Sequence, residues 1–290
     1  MQRTQLNNVR DALNGSKATQ LDYCVLNQDL SLAHWSNQRD RVSYHKVGHH
    51  TVSLYLTGGN DTHRLDMPSA GKGSPGKLCL MPATQDSEWV VGEGQEFVHF
   101  YVSDAALKFF ALESFDIDPR LVRLPDLTFA DHPELARLCH SVMNVPWHAV
   151  SERLHLQQAF YGVMGCLIQA FVRHQPVTEA LRGGLSRRQL TSVMEYIHAH
   201  AGEEIHLEKL ATVSGLSLFH FARMFKQSTG LTPHQYVSKI RVRKGMEMLQ
   251  KGYGQAYVAA ACGFSHQSHF AAQFKREYGV TPARLIRELC

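Results

Sequence analysis

Hydrophobic and polar positions change period along the chain. From Asp22 to about Ser103 there are short runs rich in β-branched and aromatic residues: DYCVL at 22–26, VSYHK at 42–46, HTVSLYLT at 50–57, LCLMP at 78–82, EWVV at 88–91 and EFVHFYV at 96–102. Turn formers separate them, such as GGND at 58–61 and GKGSPGK at 71–77, and within HTVSLYLT the alternation has the period of two that half-buried strands require. The pattern predicts a small antiparallel sandwich or barrel. The period then lengthens. Pro133 follows Asp131 and His132, and Leu135, Leu138, Cys139, Val142 and Met143 fall at i, i+3, i+4, i+7 and i+8, the stripe of an amphipathic helix. A second helix is predicted from about Val150 to Arg173. Its centre, AFYGVMGCLIQAFV at 159–172, is apolar on more than one face, which leaves two covers open: a helix-to-helix dimer contact, or packing on its own domain. The stretch HQPVTEALRGGL at 174–185 holds Pro176, Gly183 and Gly184 without periodicity. The expected organisation is therefore a first domain over 1–174, a linker over 175–185 and a second domain over 186–290.

Beyond Ser186 the punctuation is that of helices. Ser186 and Gln189 form a capping box before a helix whose Leu190, Val193, Met194 and Ile197 share a face, with Gly202 after its end. A short helix, LEKLATVS from 207, stops at Gly215; Ser217 then caps LFHFARMFKQS, which ends before Gly230. Thr232 and Pro233 read as an N-cap with proline at the first helical position, opening a long helix to about Lys251.

The same grammar then repeats. Ala211, Gly215 and Ser217 recur 48 residues later as Ala259, Gly263 and Ser265. Phe221, Phe225, Lys226, Gly230, Thr232 and Pro233 recur 49 later as Phe270, Phe274, Lys275, Gly279, Thr281 and Pro282, so one residue is inserted in the second turn. Each copy is a short helix, a glycine turn and a second helix, the grammar of a helix-turn-helix unit whose second helix can enter a major groove about 12 Å wide. The units are expected over about 207–228 and 255–277, joined by a helix over about 233–251. Phenylalanines at i and i+4 point each second helix into a core. The remaining faces carry Phe219, His220, Ala222, Arg223, Lys226 and Gln227 in the first copy, and His266, Gln267, Ser268, Ala271, Ala272 and Lys275 in the second. Of these, Phe219, Arg223, Gln267 and Ser268 are the candidates for base edges, and Lys226 and Lys275 for phosphates. A single antiparallel helix pair with a glycine turn imitates this motif; two copies in one segment do not arise so easily.

Charge points the same way. Residues 186–290 contain 14 Lys and Arg against 7 Asp and Glu, a net of +7, while residues 1–185 contain 16 against 19, a net of −3. A basic segment on a mildly acidic remainder suggests nucleic acid as the partner of the basic part, although a basic face that only solubilises would look similar. Bulk composition, 44% hydrophobic and 19% charged, is that of an ordinary soluble globular chain of about two domains. No apolar run reaches the length of a signal or membrane segment. Cys24, Cys79, Cys139, Cys166, Cys262 and Cys290 are scattered without a C-x-x-C spacing, so they read as reduced thiols of a cytoplasmic protein.

The segment from Ile205 to Leu289 resembles the DNA-binding domain of AraC/XylS-type transcription regulators. The second copy carries it most specifically, with G-F-S-x-x-S-H-F followed by F-K-x-x-x-G-V-T-P. The resemblance covers about 100 residues and implies two helix-turn-helix units reading adjacent major grooves of double-stranded DNA, with RNA polymerase as a further partner. Where many members have arginine just before the small residue that precedes F-K, this chain has Ala272, which implies fewer strong contacts from the second unit. Residues around SPGKLCLMPA at 74–83 resemble a cupin-like sensor domain, which implies a mainly β barrel with a mouth for a small-molecule effector, accompanied by helices for dimerisation.

His34, His45, His49, His50, His63 and His99 invite a metal reading. No H-x-H or H-x-x-x-H spacing followed by a carboxylate occurs, and Asp86 stands where metal cupins show histidine, so neither metal nor other cofactor is expected. No G-x-S-x-G, P-loop or dinucleotide motif is present, and GKGSPGK reads as a hairpin loop rather than a phosphate cradle. The sequence therefore reads as a sequence-specific transcriptional regulator, an activator acting as a homodimer and responding to an effector whose site no motif locates. Two alternatives remain open: a ligand-free regulator whose first domain only dimerises or binds protein, and a metal-dependent cupin enzyme fused to a DNA-binding domain.

Overall fold

The computed structural model describes residues 8–45, 47–172 and 183–289. Most of the expected linker, 175–185, lies outside these, as do Arg173 and Cys290. The chain divides into two compact units, one of residues 1–107 and 123–175, the other of residues 108–122 and 176–290.

The first unit opens with helix α1 (Asn8–Asn14) and strands β1 (Thr19–Val25), β2 (Leu30–Asn37), β3 (Asp40–Tyr44), β4 (His49–Gly58) and β5 (His63–Arg64). Strands β6 (Leu78–Met81), β7 (Ser87–Val91) and β8 (Gln95–Ser103) follow, and β8 runs directly into helix α2 (Asp104–Phe115). Strand β9 (Leu127–Ala130) and helices α3 (Pro133–Ser141) and α4 (Arg153–Leu167) complete the unit, α4 ending in a wider π turn at Ile168–Val172.

The expectation of a mainly β first domain with accompanying helices is met. The strands form two sheets, an antiparallel six-stranded one in the order β1-β2-β8-β4-β6-β9 and a three-stranded one in the order β3-β7-β5. One core joins their facing sides: Trp35, Tyr55, Phe97, Tyr101 and Phe129 from the large sheet meet Val42, Tyr44 and Trp89 from the small one, with Val9 and Leu13 of α1. The outer face of the large sheet is apolar too, and Phe100 meets Phe160 of α4 with ring centroids 4.9 Å apart. That packing, with α3 beside α4, gives the all-round apolar centre of α4 cover within its own unit.

A fully buried guanidinium ties the small sheet to a loop. Arg64 donates to both carboxylate oxygens of Asp66, to Asp126 through two nitrogens, to Thr128 and to the carbonyl of Asp86. A buried charge of this kind persists only when paired and hydrogen-bonded throughout.

The second unit is helical: α5 (Arg187–Ala199), α6 (Leu207–Ser214), α7 (Leu218–Thr229), α8 (Pro233–Gln250), α9 (Gln255–Ala261), α10 (Gln267–Tyr278) and α11 (Pro282–Leu289). The helix starts follow the sequence cues. Ser186 with Gln189 and Thr232 with Gln235 both form complete capping boxes, and Pro233 occupies the first turn of α8. Ser217 stands at the N-cap of α7 but its hydroxyl makes no capping bond. No helix among the described residues is long and apolar enough to cross a membrane.

Candidate nucleic-acid interface

Each repeat folds as a helix pair around a glycine. Gly215 and Gly263 adopt φ of +69° and +72°, the left-handed region that a side chain disfavours. Helix α7 starts three residues after Gly215, whereas α10 starts four after Gly263, which places the inserted residue in the second turn. The core of each pair is built alike: the rings of Phe221 and Phe225 lie 5.6 Å apart, those of Phe270 and Phe274 also 5.6 Å, and all four are fully buried. Helix α8 approaches α10 so closely that a Cβ on Gly245 would stand 2.6 Å from the Phe270 ring. Burying these phenylalanines fixes the rotation of α7 and α10 about their axes. The opposite faces must then point to water.

They do. Phe219, His220, Arg223, Lys226 and Gln227 on α7 are exposed and Ala222 is half-buried; His266, Gln267, Ser268, Ala272 and Lys275 at and along α10 are exposed. Phe219 is 82% exposed, an arrangement that costs an isolated monomer apolar hydration and suits a helix start that meets another surface. The cations are uncommitted: the side chains of Arg223, Lys226 and Lys275 have no ion-pair or hydrogen-bond partner among the described residues. No carboxylate among the described residues therefore holds Arg223. Two polar residues of the set are partly engaged. Gln267 Nε2 lies 3.4 Å from Gln255 Oε1 on α9, and the Gln227 amide sits against Gly183, whose Cβ, if it had one, would meet Nε2 at 2.3 Å.

Sequence reasoning did not reach two features. Tyr253 and Tyr257, at and just before α9, stack at 5.4 Å on the surface and are 48% and 60% exposed; their spacing of four was a visible cue. The other is the segment 108–122, which precedes the expected boundary yet groups with the helical unit. Phe109 packs edge-on to the buried Tyr236 at 5.4 Å. Glu113, its side chain 4% exposed, accepts from Arg243 Nη1 at 2.9 Å and from the Tyr236 hydroxyl, and lies 3.4 Å from His198 Nε2. Burial alone would raise the Glu113 pKa, but the hydrogen bonds and charges of His198, Tyr236 and Arg243 outweigh it and hold the carboxyl below its ordinary range.

The histidines of the first unit are dispersed. His34 faces Glu96, His45 faces Asp86 and His50 faces Asp104, while His49 and His99 are buried, and burial pushes them down to about 4 and about 3. Among the described residues no three His, Cys, Asp or Glu side chains converge as metal ligands would.

Residues 210–288 match the family model described as a helix-turn-helix domain. The chain is 36% identical over 103 residues to the probable transcriptional regulator LumQ of Photobacterium leiognathi, covering 34% of this chain and 41% of that protein. It is 27% identical over 173 residues to the transcriptional activator RhaS of Escherichia coli, covering 57% of this chain and 61% of RhaS. The chain thus spans less than two thirds of the length of either relative. Among solved structures, a regulator with an AraC-type DNA-binding domain from Chromobacterium violaceum is 25% identical, with a TM-score of 0.34, over 35% of this chain and 92% of that one.

Proposed function

We propose that this chain, which carries an AraC-type helix-turn-helix domain at its C-terminal end, is a sequence-specific DNA-binding transcriptional regulator. One observation carries the reading: two helices, each locked by a buried phenylalanine pair, present exposed residues and unpaired cations to solvent. On each, the residues near the helix start are placed to reach base edges. In this reading Phe219, His220, Ala222 and Arg223 of α7, and His266, Gln267, Ser268 and Ala272 at α10, face bases, with Arg223 bidentate to guanine. Lys226, Lys275 and Gln227 set register on the backbone. The first unit senses a small effector and dimerises, and the protein acts as an activator with RNA polymerase.

The experiment is selection of bound duplexes from a random pool for wild type and Arg223→Ala, with affinity measured across salt concentrations. Wild-type affinity should fall steeply with salt as phosphate contacts release counterions, and Arg223→Ala should lose preference at one or two base pairs, worth about 1–3 kcal/mol of discrimination. Identical motifs from both proteins would remove the base-reading role; affinity independent of salt would remove DNA binding as a whole. A second reading, a regulator without effector, draws on the first unit's interior cavity, which measures only about 30 Å³. A small molecule that stabilises the chain against heat excludes it.

A further inference from the structure

The inner face of the large sheet carries more polar groups than an apolar core requires. Strand pairing sets Ala33, His99 and Ser53 abreast, and Ser31, Tyr101 and Thr51 abreast one row on. The Ser31 and Thr51 hydroxyls are buried without a hydrogen-bond partner among the described residues, and neither residue lines the cavity described below.

Between those rows runs a hydrogen-bond chain whose direction can be deduced. Trp35 Nε1 is 3.1 Å from the Tyr101 hydroxyl, which is 3.0 Å from His99 Nδ1, and all three residues are at most 2% exposed. An indole N–H can only donate, so Tyr101 accepts from Trp35. The Tyr101 proton then needs an acceptor, and His99 Nδ1 stands alone in reach among the described residues. Leaving a buried hydroxyl proton without an acceptor costs about 1–3 kcal/mol, so the chain runs from Trp35 through Tyr101 to His99. Burial, and then the nearby His49, keeps the His99 ring neutral at physiological pH. A neutral imidazole that accepts at Nδ1 carries its proton on Nε2.

That second N–H has no acceptor among the described residues, and His99 forms part of the wall of the interior cavity of about 30 Å³. Around it stand Tyr55, Trp89, Phe97 and the neutral Ser53 and Gln95, and among the described residues no Asp, Glu, Lys or Arg lines the space. We infer that this cavity binds a small uncharged molecule that accepts a hydrogen bond from His99 Nε2, its apolar part lying against Tyr55, Trp89 and Phe97. An ionised group would be moved from water to a site with no counter-charge, a transfer that costs far more than that of a neutral amide or hydroxyl. The volume suits a few waters or a molecule of a few heavy atoms, and Leu13 of α1 also lines the space. The inference rests on the effector reading of the first unit and supplies its ligand chemistry.

The test uses the ¹⁵N-labelled full chain and three probes of one shape: acetamide, acetate and acetamidinium. Long-range ¹H–¹⁵N spectra, with His99 assigned through His99→Gln, should show the Nε2–H tautomer in the free protein, and acetamide should shift the His99 ring resonances saturably while the two ions do not. Trp35→Phe frees the Tyr101 hydroxyl to accept from Nδ1–H and should mix the tautomers. An Nδ1–H tautomer in wild type, an equal response to acetate, or no response to acetamide overturns the inference. Affinity for duplex DNA, measured with and without acetamide, is read separately. Acetamide bound at His99 with DNA affinity unchanged removes the sensor role and leaves the ligand chemistry, whereas DNA binding intact without any acetamide response does the reverse.

Discussion

Replacing Glu113 by alanine tests whether the segment 108–122 is a structural part of the helical unit. The carboxylate has three partners there, and their exposures decide the cost. Arg243 and His198 are 44% and 45% exposed, so water can take over either interaction and each lost contact is worth about 0–1 kcal/mol. Tyr236 is fully buried, and its hydroxyl is left without its acceptor at a cost of about 1–3 kcal/mol. The expected total is about 1–5 kcal/mol, which corresponds to a loss of about 5- to 4000-fold in protection of amides that open with α8. Hydrogen exchange read by mass spectrometry gives that number segment by segment, without needing a single cooperative transition for the whole chain. Peptides covering Val237–Met246 should lose protection while those covering β2 and β8 keep theirs. Unchanged protection in α8, or equal loss across the sheets, refutes the argument. Tyr236→Phe removes only the hydroxyl, leaves no orphaned donor and should cost less than Glu113→Ala.

The same geometry and the repeat generate further expectations. Because the folded pKa of Glu113 lies below its unfolded value, its contribution is complete above the ordinary carboxylate range and is lost as pH falls through the folded pKa. Acid titration of α8 protection should show this loss in wild type and not in Glu113→Gln. Phe270→Ala should destabilise the helical unit by about 3–5 kcal/mol, as for a buried aromatic, whereas Phe219→Ala should change stability by less than about 0.5 kcal/mol and weaken DNA binding. Equal stability losses would mean that α7 is rotated from the orientation described. Arg64→Met should destabilise the first unit by about 1–3 kcal/mol, because Asp126, 19% exposed, loses its cation while water screens Asp66, 39% exposed; a thermal unfolding midpoint equal to wild type would contradict the pairing.

The helical unit was legible because its information is local. Caps at Ser186 and Thr232, glycines where φ must be positive, and phenylalanines at i and i+4 are all set within a few residues, and a repeat at 48–49 states all but the Ser186 cap twice. Orientation of Arg223 and Gln267 outward follows from Phe221, Phe225, Phe270 and Phe274 inward, so the candidate interface was readable as well. Strand β2 was not, since a strand covered on both faces shows no alternation: from Leu30 to Ala33 every residue is buried. Helix α2 escaped for a related reason, its apolar Leu107, Phe109, Ala111 and Leu112 forming no single stripe. The two-residue β5 has no period at all and is held by a guanidinium whose acceptors lie up to 64 residues away. Partnerships at such separations leave no mark on local periodicity. That Glu113 would meet Tyr236 across 123 residues, or that Trp35 would fix the His99 proton across 64 through Tyr101, depends on which strands and helices pack side by side, and only the tertiary structure decides that.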